Sequence, residues 1–165
     1  MEEKKKNIFY EVNNLKDKVI EEVMKNQKLL KLVSIKNNNP LSEPDIIGAG
    51  KLIDDCIWFK PKVFSTTIQE TQCFLLTDVM VYSIRDYREF ADIKLIFRIL
   101  VHNTLFELYD GKTRAYEIAG ELMDMFDKET GGWLGECRLE NGIPIESPAD
   151  YQAIQLTFSV TDFKK

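Results

Sequence analysis

Apolar residues recur along the first part of the chain at helical spacing. Ile8, Val12, Leu15, Val19, Val23, Leu30 and Val33 fall at steps of three, four or seven. This places them on one stripe of a helix from about Asn7 to Val33. Lys16, Lys18, Glu21, Glu22, Lys25 and Lys28 take the opposite face, with Glu21 and Lys25 at the favourable i, i+4 spacing. The run Asn37-Asn38-Asn39-Pro40-Leu41-Ser42-Glu43-Pro44 cannot continue that helix and favours turns. It opens a loop over about residues 36–50, and a second long loop is expected over 60–71. Between them Lys51 to Ile57 reads as a short helical turn with Leu52, Ile53 and Cys56 inward. Loops of this length inside a small domain are usually functional.

From Val63 the period changes to two. Gln72–Ile84 and Ile93–Asn103 are rich in β-branched and aromatic residues and read as an antiparallel pair joined by the charged linker Arg85–Phe90. Asp110 is the expected N-cap of a second helix, whose stripe is Ala115, Ile118, Ala119, Leu122, Met125 and Phe126 and whose stop is Gly131-Gly132. Trp133–Leu139 reads as a third strand, with Asn141-Gly142, Pro144 and Pro148 in its loop. Ile154, Leu156, Phe158 and Val160 then alternate with polar residues in a last strand. The expected fold is α+β: a mostly antiparallel four-stranded sheet with a long N-terminal helix and a second helix packed on one face. The whole chain, 1–165, is expected to form one domain.

Composition narrows the function more than the fold. With 44% hydrophobic and 30% charged residues, the chain is too apolar for disorder. No apolar run approaches the roughly 18 residues of a membrane helix, and the amino terminus lacks the features of a signal peptide. Cys56, Cys73 and Cys137 are odd in number and widely spaced. They suit neither a disulfide framework nor a structural zinc site, and are expected as small core residues of a chain made in a reducing cytoplasm. The net charge of −5 and a pI near 5.1 argue against a nucleic-acid footprint. That charge is divided: residues 1–36 hold nine lysines against six acids, a local +3, which leaves −8 on the rest.

Candidate chemistry is sparse. His102 could serve as a general base with Glu107 or Asp110, but no nucleophile is placed near it, and a strand histidine bonded to a loop is the plainer reading. Asp45, Asp54 and Asp55 could hold a hard divalent ion, although adjacent helical residues diverge by about 100°. Gly48-Ala49-Gly50 lacks the context of a phosphate cradle. The second helix is less bland. Lys112 and Arg114 lie in its first turn while Glu121, Asp124 and Asp127 lie toward its end, an order that opposes the helix dipole. From Glu117 to Asp150 nine acids face two bases. This run is a candidate surface for a basic partner patch or a wall that repels nucleic acid, with a solvated face as the alternative. The candidate inter-subunit or channel surface therefore comprises Lys16, Lys25, Lys28, Lys112, Arg114, Glu117, Glu121, Asp124 and Asp127, with Trp133 as a possible interface anchor. No catalytic residue, metal or cofactor is expected.

The carboxyl-terminal half resembles a known family. It carries Val101-His102-Asn103 at a strand end, a helix opening Lys112-Thr113-Arg114-Ala115-Tyr116-Glu117-Ile118-Ala119, a Gly-Gly-Trp-Leu turn, and a final strand from Tyr151 to Phe163. This pattern looks like the tail terminator (tail completion) proteins of long-tailed bacteriophages and related head–tail neck proteins. It covers residues 92–164, and 7–60 more loosely; the extra length lies in the Asn/Pro loop and around 60–92. The resemblance implies a non-enzymatic virion protein of the tail or neck, assembled in the host cytoplasm as a homo-oligomeric ring, most often a hexamer. Its implied partners are copies of itself, the tail tube protein and the head–tail connector, with DNA passing through the channel without specific binding. A head-completion adaptor or collar protein is the alternative within the same setting, and a small acidic metal-dependent enzyme using Asp45, Asp54 or Asp55 lies outside it.

Overall fold

In a computed structural model, which describes residues 8–60, 70–85, 90–132 and 135–161, the amino-terminal stripe forms two helices rather than one. Helix α1 spans Ile8–Lys25 and α2 spans Gln27–Ser34. Asn26 breaks them apart: its backbone is extended, and its side-chain oxygen accepts the Leu29 N–H at 2.9 Å, capping α2. The break has a packing reason. Six residues of straight helix turn through about 600°, which would carry Leu29 far off the Val23 stripe. After the break, Leu29, Leu30, Leu32 and Val33 are all buried, beside Leu15, Val19 and Val23 of α1.

The sheet has six strands where the period-two pattern predicts four. They are β1 (Ile57–Trp58), β2 (Cys73–Arg85), β3 (Phe90–His102), β4 (Lys128–Gly132), β5 (Gly135–Ile145) and β6 (Tyr151–Thr161), in the spatial order β1-β2-β3-β6-β5-β4. The short β1 runs parallel to β2 through Ile57↔Leu75, so the sheet is mixed; the other pairings are antiparallel. The stretch expected as a helical turn is divided between a 3-10 turn at Ala49–Leu52 and β1. Asn141-Gly142, expected in a loop, lies inside β5 opposite Thr157 and Leu156 of β6. Pairing with β6 overrides the local turn signal there.

One face of the sheet takes all the helices. Ile93, Leu95, Phe97, Ile99 and Val101 of β3 are fully buried and stand beside Val160, Phe158 and Leu156 of β6. Helix α3, Arg114–Phe126, lays Ile118, Leu122 and Phe126 on them. Phe97 meets Phe126 at 5.1 Å between ring centres and Phe158 edge-on at 5.9 Å. Each such burial is worth roughly 1.5–3 kcal/mol, far more than any surface pair, so this face fixes the register. Thr77, on the same face opposite Phe97, is buried with its hydroxyl unpartnered among the described residues.

The other face carries a smaller cluster of Phe74, Leu76, Leu100, Tyr151 and Ala153 under Trp58 and Ile145. The Tyr151 hydroxyl donates to the Glu70 carbonyl. Farther along, this face turns polar and bears exposed Met80, Tyr82 and Ile143.

The ends of α3 differ from expectation. Thr113, not Asp110, is its N-cap residue, and the helix ends at Asp127, before Gly131-Gly132, which belong to β4. Asp110 instead accepts the Lys112 N–H at 3.2 Å in a turn where Gly111 takes φ +80°. Most of the expected 60–71 loop, residues 86–89 of the expected linker and Trp133 lie outside the described residues.

Candidate interaction site

The charged residues of the amino-terminal helices and α3 meet within one chain. Helices α2 and α3 run antiparallel: Asn26 at the start of α2 reaches Glu121 and Met125 on α3, and the end of α2 lies against Arg114. Lys28 Nζ stands 2.5 Å from Glu121 and 4.0 Å from Glu117. Its ammonium is held above the ordinary lysine range by the hydrogen bond to Glu121, against the opposing effect of partial burial. Part of the acidic run, expected as a surface for a basic partner patch, thus meets Lys28 of the same subunit at the α2–α3 contact.

The remaining sequence candidates scatter. Lys25 pairs with Glu21 at 2.5 Å and with Glu22 at 3.8 Å along its own helix. Lys112 pairs with Asp110 at 3.1 Å, which raises the lysine and lowers the aspartate from their ordinary values. Lys16 is partly buried on α1, and Asp124 is exposed on α3. Asp127 accepts the Leu139 N–H at 3.0 Å and so ties the end of α3 to β5.

Arg114 requires a correction. It was expected in an exposed first turn, yet it is fully buried. Its guanidinium donates to the carbonyls of Leu32 and Ile35 at 2.9 Å, of Leu105 at 2.9 Å, and of Asn37. Burial lowers its pKa, partly offset by the neighbouring Cys73 thiol. The dipole conflict seen in the sequence is resolved between helices: a cation misplaced at the start of α3 is well placed at the end of α2. Arg114 is a clamp, not an interface residue.

His102 and the aspartates are likewise placed structurally. The His102 Nδ1 accepts the Thr104 N–H at 3.2 Å, starting a 3-10 turn at Asn103–Leu105, and the ring stands edge-on to Tyr151 at 5.1 Å. Asp45 faces Lys31 at 2.8 Å and Asp54 faces Lys60 at 3.0 Å, so these aspartates face lysines. Burial pushes the Cys56 and Cys137 thiols up to about 12 and Cys73 up to about 11. All three are buried and free, consistent with core residues.

Two features that the sequence did not single out are open to solvent. A groove of about 320 Å³ lies between the start of α3 and the ends of β5 and β6, lined among others by Phe106, Tyr116, Pro144, Ile145, Gln152 and Ile154. Its volume is at the lower end of the 300–1,000 Å³ usual for ligand sites. The second feature is Ile47, which is 89% exposed. Its neighbour Ile46 is held by both backbone groups: the Ile46 N–H donates to the Gln27 side-chain oxygen at 2.8 Å, and the Gln27 amide donates to the Ile46 carbonyl at 3.3 Å. Gly48 follows in a left-handed conformation, φ +67°. Ile47 is therefore displayed on a fixed turn.

A family model described as YomW matches residues 26–160. The chain belongs to the YomW family. The matched span starts at Asn26, the residue that caps α2, and takes in both surface features and the sheet as far as Val160, one residue short of the end of β6. The YomW name is phage-derived and so suggests a phage-related protein. No curated protein and no solved structure matches the chain.

Proposed function

We propose that this protein is a ring-forming structural subunit of a tailed bacteriophage virion, which ends the tail tube and joins it to the head connector. The observation that carries this reading is the one-sided packing of the fold. All three helices sit on one face of the sheet, while the other bears exposed Met80, Tyr82 and Ile143 beside its small buried cluster. β2 also continues for nine residues past its last pair with β1 without a further outer partner among the described residues. Exposed apolar side chains and long uncovered strand edges are features that neighbouring subunits cover. The YomW membership and the resemblance to tail terminator proteins supply the phage setting.

In this reading the partners are copies of the same chain, the tail tube and the head connector, and the work is done without catalytic residues or cofactors. Assembly takes place in the host cytoplasm and the product resides in the virion. The acidic balance of the chain suits a channel that DNA crosses without being held, because binding would need a basic surface. Negative-stain imaging and light scattering of concentrated protein, with and without tail tubes, test the proposal. Closed rings that cap tubes are expected. A strict monomer that ignores tubes overturns it, and rings located elsewhere in the assembled neck would assign the chain to an adaptor or collar instead.

A further inference from the structure

We propose that Ile47 of one subunit docks into the groove between α3, β5 and β6 of a second copy, making the contact that joins subunits head to tail. The two features do not meet within one chain: Ile47 is 89% exposed and is not among the residues that line the groove. Gln27 holds the Ile46 backbone and keeps the turn in that position. A second copy can bring its Ile47 to the groove.

The chemistry matches on both sides. A branched apolar side chain, 89% exposed on a rigid turn, loses little conformational freedom on docking. The groove offers Phe106, Tyr116, Pro144 and Ile154 as apolar walls. The charges around them are complementary. Lys51, four residues beyond Ile47, is exposed and has no ion pair among the described residues. Glu146 and Asp150, which flank the groove residues Ile145 and Tyr151, are likewise exposed and without ion pairs among the described residues. The acid nearest the knob, Asp45, is already neutralised by Lys31. A knob and a groove on different surfaces make a heterologous contact, the type that closes into rings when the rotation allows. The proposal rests on the ring reading for the number of copies, but not for the contact itself.

Two full-length variants test it by sedimentation velocity over a concentration series. Ile47→Glu removes the knob and keeps the groove. Gln152→Trp fills the groove from an exposed position and keeps the knob. Each variant alone is expected to weaken self-association by at least tenfold. An equimolar mixture is expected to stop at a heterodimer, because only one good knob and one good groove remain. Ile47→Val should assemble like the parent. If the parent forms rings and both variants do so equally well, the contact is overturned while the ring reading stands. If the parent stays monomeric at every concentration, both fall. Circular dichroism of the variants confirms that the fold is retained.

Discussion

Replacing Arg114 by Met keeps most of the side-chain stem while removing the guanidinium that holds the carbonyls of Leu32, Ile35, Asn37 and Leu105. Hydrogen bonds from a charged donor are worth about 1.5–3 kcal/mol each, so simple addition over four would give roughly 6–12 kcal/mol. Addition overstates the loss, because the native state also bears the cost of holding a guanidinium away from water, which is several kcal/mol. The expected net destabilisation is about 3–5 kcal/mol, the range for breaking a buried charged interaction. For a chain of this size that corresponds to a fall in Tm of roughly 6–20 °C. Urea unfolding followed by circular dichroism should show a lower midpoint with an unchanged slope. Hydrogen exchange should show the loss concentrated in α2, whose final carbonyls lose their donor. Arg114→Lys should recover only part, since a single ammonium cannot span all four acceptors. A Met variant within about 1 kcal/mol of the parent would refute the clamp.

The other predictions concern single groups. Glu121→Lys should lower the stability of the subunit by about 1 kcal/mol, because it turns the contact with half-exposed Lys28 into repulsion. Lost ring assembly at unchanged subunit stability would instead place Glu121 in an interface. Thr77→Val should leave stability unchanged or raise it by up to about 1 kcal/mol, since it removes a buried hydroxyl without a partner among the described residues. A loss beyond about 1 kcal/mol would show that the hydroxyl is bonded. The buried thiols set a pH dependence. Their folded values, about 11 to 12, lie above the ordinary value near 9, so the unfolded chain releases these protons first. The stability they lend is therefore complete below pH 9 and is lost as pH rises from about 9 to 12, by up to about 1.4 kcal/mol per unit per thiol. Urea midpoints at pH 8 and pH 10 should fall less in Cys137→Ala than in the parent; equal falls would contradict the assignment.

The parts of the fold set by period were legible. The alternation in β3 and β6 and the stripe of α3 survive because each is enforced by one buried face. The parts set by tertiary pairing were not. The helix break at Asn26 was hidden because Val23, Leu30 and Val33 continue at helical steps, and only the off-stripe Leu29 hints that the axis must turn. The first half of β5 falls in the expected strand Trp133–Leu139, but its continuation through Ile145 is masked by Asn141-Gly142 and Pro144, local turn signals, while the partner strand β6 that overrides them lies farther on. The candidate site divides in the same way. The unusual charge order around Arg114 was visible, but its meaning depends on the end of another helix some eighty residues earlier. The unlike charges of the first helix and the acidic run were also visible, but not that Lys28 and Glu121 pair within one chain, because that depends on how α2 and α3 pack. The display of Ile47 left no local trace, because Gln27 grips Ile46 across nineteen residues.

Whether this chain builds rings is read most directly from negative-stain images of the concentrated, purified protein mixed with tail tubes. Closed rings of uniform size seated on tube ends, with tube growth halted beyond them, are the expected result. Monomers at every concentration, with tube ends left bare, would contradict it.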